Sequence, residues 1–359
     1  MKNKKILLAL SGGVDSSIAA YLLKKQGYDI TAVFMKNYSD TKNSFGECSY
    51  KDDKRSAQRV AAKLNIPLIL IDSESQYKSK VLSPMFNSYS KNLTPNPDIL
   101  CNKIIKFPLL WKKAKSLKIP LIATGHYAIV KKIKSSFSLY QPLDKSKDQT
   151  YFLSEMNQKD LSHTIFPLGK IKKIEVRALA KKLNFHNWNR PGTTGICFVQ
   201  QNNMQNFLKS KLKEKPGIVK DPEGNILGTH LGSHFYTIGQ KCIPSSGIQI
   251  KKPNNLAQKR FFIAEKKGNT LIAASEDHPL LKKSEVKIVS LHFINSKEDS
   301  PSNIKARIRH LGKLLPGKLM KKSNSYYFKF AKPQEAIAPG QYIVLYHKDK
   351  VIASGEMRY

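Results

Sequence analysis

No stretch of the sequence comes near the roughly 18 consecutive apolar residues of a membrane helix, which points away from a membrane protein. The basic start, Lys2-Asn3-Lys4-Lys5, is followed by an apolar run from Ile6 to Leu10. That run is shorter than the about seven residues a secretion signal needs, so a cytoplasmic protein is expected. Cysteine is scarce: Cys48, Cys101, Cys197 and Cys242 are scattered over 359 residues and form no disulfide framework, which suits reduced thiols. Acidic residues are outnumbered, 26 against 62 basic ones, and the net charge is +36. Such an excess fits a polyanionic partner such as nucleic acid. Arginine is scarce too, at 8 of the 62. Lysine and asparagine enrichment of that kind is also what an AT-rich genome spreads over solvated faces, so charge alone leaves nucleic-acid binding open. Hydrophobic content of 40% argues against disorder, and the length allows two or three domains.

The phosphate-binding pattern GxxxxGK[ST] is missing, because no lysine follows the early glycines. What stands there instead is Leu10-Ser11-Gly12-Gly13-Val14-Asp15-Ser16-Ser17. Ile6 to Leu10 reads as a buried strand, and Ile18, Ala19, Leu22 and Leu23 fall at helical spacing up to Gly27, a helix stop. The stretch is thus a strand-to-helix turn whose glycines let backbone approach a ligand and whose free amides suit phosphate. Ser11 to Ser16 match the SGGxDS loop of the ATP pyrophosphatases, or PP-loop enzymes, which split ATP between its α and β phosphates.

Over the first 130 residues strands (Ile30 to Met35, Pro67 to Ile71, Leu121 to Ala123) alternate with helices (Asp52 to Leu64, a stretch around Val81 to Tyr89, and one closing over Trp111 to Leu117). This alternation predicts a parallel sheet flanked by helices, with ligands at the carboxyl ends of its strands, where both the Ser11 turn and Thr124-Gly125-His126-Tyr127 fall. Residues 151 to 190 read as mostly helical, with Glu175 to Leu183 clearest. From Pro216 the texture changes to short strands with hairpin turns at Asp221 to Asn225 and Lys267 to Asn269. Alternation in segments such as Tyr326 to Phe330 and Tyr342 to Leu345 suggests a small barrel. The expected architecture is an α/β parallel-sheet domain over residues 1–200, a small mixed central domain over 201–278, and a C-terminal β-barrel over 279–359.

Two cysteines sit in unusual surroundings. In Thr94-Pro95-Asn96-Pro97-Asp98-Ile99-Leu100-Cys101-Asn102-Lys103, paired prolines stiffen a turn before a helix start, and Asp98 and Cys101 share a face at i and i+3. A helix start with Lys103 and Lys106 nearby would lower the thiol pKa; an aspartate cap before a buried cysteine explains the same spacing. Gly195-Ile196-Cys197-Phe198-Val199 fits either a mobile nucleophile or a buried hydrophobe.

Taken together, SGGVDSS, FMKN at 34–37, TPNPDILCNKxIKF at 94–107, ATGHY at 123–127, KDQTYFL at 147–153, FPLG at 166–169 and TGICF at 194–198 resemble the tRNA-specific 2-thiouridylases nearly end to end. The resemblance implies the PP-loop fold and a reaction in which ATP adenylates the C2 oxygen of the wobble uridine and sulfur replaces it. It implies that Ala9, Leu10, Ser11, Gly12, Gly13, Val14, Asp15 and Ser16, with Met35 and Gly125, hold ATP and its Mg²⁺. It implies that Cys197 carries a persulfide supplied by a sulfur-relay protein or a cysteine desulfurase. Cys101 would release sulfide from that persulfide or resolve it as a Cys101–Cys197 disulfide, with Asp98 as acid/base. It further implies tRNA contacts at Asn96, Pro97, Asp98, His126, Lys147, Asp148, Gln149, Arg307, Arg309 and Gln341, glutamate, glutamine and lysine acceptors as substrates, and a monomer. No protein-held metal site is expected; the spacing of His230 and His234 lacks a cysteine pair to complete one.

The sequence departs from the family pattern at Gly192, where an acidic residue is usual, and at Gly239-Gln240-Lys241-Cys242-Ile243-Pro244. Cys242 and Cys48 match no catalytic position. Two other readings remain: another PP-loop adenylating enzyme, which would not need paired cysteines, and an ATP-dependent tRNA-binding module without catalysis, which would release no pyrophosphate.

Overall fold

The computed structural model describes residues 4–39, 49–192, 204–251, 258–295 and 303–359. Cys48 and Cys197 lie outside the described residues. The chain begins with strand β1 (Lys5–Ala9), helix α1 (Val14–Lys25), β2 (Asp29–Lys36), α2 (Ser49–Lys63) and β3 (Leu68–Asp72). A helical run follows: α3 (Glu74–Tyr77), a π turn over Lys78–Leu82, and α4 (Ser83–Ser90). The next is α5 (Pro97–Cys101), a π turn over Asn102–Lys106, and α6 (Phe107–Ser116), leading to β4 (Leu121–Ala123). The hairpin β5 (Ile129–Ile133) and β6 (Ser136–Tyr140), α7 (Gln158–His163), β7 (Thr164–Ile165) and α8 (Lys173–Lys182) complete this part.

Five of these strands form a parallel sheet in the order β3-β2-β1-β4-β7. Its central strand is apolar on both faces, as a parallel strand covered by helices must be. Ile6 and Leu8 enter a core with Ile18, Leu23, Val60 and Val176, whereas Leu7 enters another with Val33, Ile99, Phe107 and Leu110. That second core also contains Val344, Tyr346 and Val351 from the C-terminal part, which therefore packs directly on the sheet's helical layer.

Helix α9 (Met204–Lys209) leads to a five-stranded sheet built from β8 (Gly217–Lys220), β9 (Ile226–His230), β10 (Ile248–Ile250), β11 (Phe261–Lys267) and β12 (Thr270–Ser275). The two hairpin turns expected at 221–225 and 267–269 join β8 to β9 and β11 to β12. The last strands are β13 (Lys282–Phe293), β14 (Ile304–Arg307), β15 (Leu315–Lys322), β16 (Ser325–Glu335), β17 (Tyr342–His347) and β18 (Lys350–Arg358). Pairing of β13 with β18 closes these six into a barrel. Closure removes the free edges that an open sheet would expose.

The hairpin β5–β6 was not apparent from the sequence pattern. It leaves the parallel sheet and joins the barrel, with Tyr140 beside Lys350 on β18. Its alternation is short and mostly half-buried, and the strand it joins lies two hundred residues away. No helix among the described residues is long and apolar enough to cross a membrane.

Candidate active site

The turn after β1 is held by its own side chains. Ser16 Oγ donates to the Gly13 carbonyl at 3.0 Å and accepts from the Ser11 N–H at 3.2 Å, and Ser17 Oγ donates to Gly13 at 2.9 Å. Gly12 has φ +81°, and a Cβ there would stand 2.4 Å from the Asp53 carbonyl. A Cβ on Gly125 would stand 2.8 Å from the Ser16 amide. Both positions thus need glycine because backbone approaches backbone. Helix α1 starts at once, and no side chain among the described residues caps its first amides. Uncapped N–H groups at a helix start, bordered by glycine backbone, form a cradle with the right polarity for a polyphosphate.

Asp15, in the first turn of α1, accepts from Tyr127 Oη at 2.8 Å and from Lys173 Nζ at 2.5 and 2.6 Å. Burial and the nearby Asp15 charge both push the Tyr127 hydroxyl up, so it stays a donor. The backbone N–H of Lys173 in turn donates to Asp144 at 2.8 Å.

His126 carries the site from the phosphate loop toward Cys101. Its Nδ1 pairs with Thr124 Oγ1 at 2.7 Å, and Lys106 Nζ lies 3.5 Å from Nε2. Burial and the Lys106 charge hold the imidazole well below its ordinary pKa, so it is neutral. Lys106 closes the π turn that follows Cys101.

The Pro95–Cys101 turn is built as the sequence suggests: Asn96 caps α5 by accepting from the Ile99 N–H at 3.1 Å, and Pro97 occupies the first helical position. The barrel completes it. Gln341 donates to the Pro95 carbonyl at 3.3 Å, Asn96 donates to Gln341 Oε1 at 3.4 Å, and the Thr94 amide donates to Pro339 at 2.8 Å. Asp98 is half-buried.

Cys101 differs from the expectation of a lowered pKa. It is the last residue of α5 and 2% exposed, and burial pushes its thiol up to about 11, a larger effect than the opposing Lys106 charge. Lys103, the other expected cation, is bound instead to the buried Glu155 at 2.7 Å. Cys242 is buried as well, in the same apolar cluster between the α3–α5 layer and the central sheet, with its thiol pushed up to about 12.

Residues 4–201 match the family model described as the tRNA methyl transferase HUP domain. Residues 205–274 match the tRNA methyl transferase PRC-barrel domain, and 283–357 the aminomethyltransferase beta-barrel domain. The chain is 37% identical over 392 residues to the tRNA-specific 2-thiouridylase of Karelsulcia muelleri (strain GWSS), covering 99% of each. It is 37% identical over 361 residues to that of Geobacillus kaustophilus (strain HTA426), covering 99% of this chain and 95% of the relative. With that of Vesicomyosocius okutanii subsp. Calyptogena okutanii (strain HA) it shares 38% over 363 residues, 100% of this chain and 98% of the relative. The chain belongs to the tRNA-specific 2-thiouridylase family.

The residues singled out for a 2-thiouridylase fall into three groups. Ala9, Leu10, the loop from Ser11 to Ser16 including Val14, Met35 at the end of β2, and Gly125 after β4 share the carboxyl edge of the parallel sheet. Asn96, Pro97, Asp98, Cys101, His126 and Gln341 form the neighbouring group described above. Lys147 and Arg309 are exposed, whereas Asp148 and Arg307 are not. These two are an ion pair in the interior, and Asp148 also accepts from Gln141 at 2.5 Å and Thr150 Oγ1 at 2.6 Å. Their charges join the 144–150 turn to the barrel. Gln149 sits beside them, its Oε1 taking the Tyr127 amide at 2.9 Å. Removing one charge strands the other in the interior. Arg307→Leu is expected to cost about 3 kcal/mol of stability, read as a lower urea midpoint than for the exposed control Arg309→Leu.

Sequence reasoning missed Lys173, because a lysine in a lysine-rich stretch carries no pattern. It also missed His186, Asn187 and Arg190. Ser56 Oγ contacts His186 Nε2 at 2.8 Å, Asn187 donates to the Gly12 carbonyl at 2.7 Å, and Arg190 donates to Asp53 at 2.5 Å. Ser56 and Asp53 lie on α2, behind the phosphate loop.

Proposed function

We propose that this protein thiolates C2 of the wobble uridine in tRNA, consuming ATP and taking sulfur from a persulfide donor. The observation that carries the reading is the contiguity of a glycine-dependent phosphate cradle with the Asn96–Cys101 turn, through Gly125, His126 and Lys106. The fit to ATP rests on the uncapped amides of α1 and on the two glycine positions that admit no Cβ. When bound, ATP supplies the adenylyl group that turns an amide-like oxygen, otherwise a poor leaving group, into a displaceable one. The Ser11–Ser16 loop would hold its phosphates, and Mg²⁺ would accompany them as counter-charge.

Each of this chain's own residues then has a task. Neutral His126, between the phosphate loop and the Cys101 turn, does not repel a cation there. Asp98 exchanges a proton with the base. Cys101, as a thiolate, attacks Cys197 Sγ of the persulfide: the bond to the outer sulfur breaks, that sulfur displaces AMP from C2, and the Cys101–Cys197 disulfide left behind is reopened by an external thiol. Burial keeps Cys101 unreactive before substrate arrives. Methyl transfer, to which two of the matched family descriptions refer, would have no use for a cradle shaped for a triphosphate. An anticodon loop presents unstacked bases, so one uridine reaches such a site at modest cost. Glutamate, glutamine and lysine acceptors, a cytoplasmic location and a monomer complete the proposal.

The test is thiolation of unmodified tRNA with ATP, Mg²⁺ and a persulfide donor, read as retardation in a mercury-containing gel, for the wild type and Cys197→Ser. Retardation with the wild type alone is expected; none with either, while pyrophosphate is still released, would move the chain to another adenylating reaction. Binding should also respond to salt. With about six phosphate contacts, affinity for tRNA is expected to fall roughly a thousandfold between 50 and 200 mM salt, and a filter-binding series that stays flat would remove the charge-based contact.

A further inference from the structure

The phosphate loop is backed by residues 186–190, none of whose side chains the sequence pattern singled out. Asn187 is 3% exposed and uses both N–H groups of its carboxamide on the loop: one on the Gly12 carbonyl at 2.7 Å, the other on Ser17 Oγ at 3.0 Å. Ser17 Oγ passes the interaction on to the Gly13 carbonyl at 2.9 Å. The Gly12 carbonyl takes a second bond from Ser56 Oγ at 2.6 Å, and Ser56 is itself held by His186 at 2.8 Å. Two donors from behind thus fix the plane of the Gly12–Gly13 peptide. In a trans peptide the Gly13 N–H must then point the opposite way, out of the loop, where its partner is Ser11 Oγ at a long 3.4 Å.

Asn187 Oδ1 is buried with no partner among the described residues. A buried unsatisfied acceptor costs stability, and a leucine of nearly the same volume would avoid that cost. An asparagine there makes sense if its two donors are what matter. Two residues of the same segment flank it: His186 on Ser56, and Arg190 on Asp53, whose own carbonyl lies against Gly12.

We propose that Asn187 is the positioning residue of the phosphate loop, holding the Gly12 carbonyl directly and the Gly13 carbonyl through Ser17 inward, so that the N–H groups of the same two peptides, those of Gly13 and Val14, face the triphosphate. The proposal rests on the reading of this loop as an ATP site. By linkage, a residue that organises the loop for ATP is itself held more firmly once ATP is bound.

The experiment uses the full chain and ATP as the probe. Asn187→Ala and Asn187→Asp, the second keeping the shape but losing the donors, are expected to weaken equilibrium ATP binding and raise the KM for ATP about 10–100-fold. Their kcat should stay within about threefold of wild type and their tRNA affinity should be unchanged. Ser56→Ala, which deletes the other bond to the same carbonyl, should shift ATP affinity in the same direction by a smaller factor. In the wild type, saturating ATP should slow amide exchange across 186–190. If Asn187→Asp binds ATP like the wild type, or the variants lose thermal stability with ATP affinity intact, the residue is structural and the proposal is overturned. Should the variants not fold, unchanged exchange at 186–190 in ATP-bound wild type overturns it. Failure of the wild type to bind ATP would instead reject the ATP reading of the loop.

Discussion

Gly12→Ala is expected to reduce ATP-dependent pyrophosphate release by about a thousandfold or more, and thiolation with it. The left-handed backbone at this position, φ +81°, costs a non-glycine residue about 1–2 kcal/mol. The larger effect is steric. The added carbon would stand 2.4 Å from the Asp53 carbonyl and 3.0 Å from Ser56 Cβ, and helix backbone cannot yield as a side-chain tip can. The loop must move outward instead, which breaks both bonds to the Gly12 carbonyl. Gly13→Ala is the matched control. Gly13 has φ −78°, and among the described residues its Cβ would meet only Ser11 Oγ, at an ordinary 3.6 Å. It should retain activity within about tenfold. Equal losses in the two variants would show that glycine is needed here for something other than close backbone approach.

Cys101→Ser should abolish thiolated product while pyrophosphate release continues, because adenylation does not require the thiol. A second measurement addresses how the free protein stores this group. With the thiol near 11, about one molecule in a thousand carries thiolate at pH 8, roughly two hundredfold less than an exposed cysteine of ordinary pKa. Peptide-resolved alkylation of the free protein at pH 8 should therefore be slower than for exposed thiols by at least that factor. It should accelerate as pH rises toward 11, since deprotonation is what limits it. Adding unmodified tRNA should also accelerate it if substrate opens the site. Free protein in which Cys101 reacts as fast as an exposed thiol would contradict the buried resting state, and persistence of thiolated product in Cys101→Ser would remove this residue from sulfur transfer.

The parts legible from sequence were those whose causes are local. Ile6 to Leu10 is apolar at every position, so it had to be a covered strand, and the glycines after it could only be a turn into a helix. Pro95, Asn96 and Pro97 dictate a cap and a first helical turn wherever they occur, and they form one here. The hairpins at 221–225 and 267–269 are likewise set by their own turn residues. A resemblance spanning seven motifs added the chemistry, which no single motif carried.

What tertiary structure decided was the partner of each polar group. Asp148 and Arg307, 159 residues apart, look like a surface pair in sequence and are an interior one in the fold. Lys103 and Lys106 are equivalent neighbours of Cys101 on paper. One is taken by Glu155, and the π turn sends the other to His126. Asn187 and Lys173 sit in stretches without a pattern, yet they hold the phosphate loop from behind and from its rim. The thiol pKa reversed for the same reason. Helix position and nearby lysines favour thiolate, but removal from water favours the neutral thiol more strongly, and burial depends on which distant segments pack over the residue. Backbone geometry is dictated by near neighbours and is written in the sequence; solvation and pairing are set by the residues that meet in space, and only the folded chain fixes those.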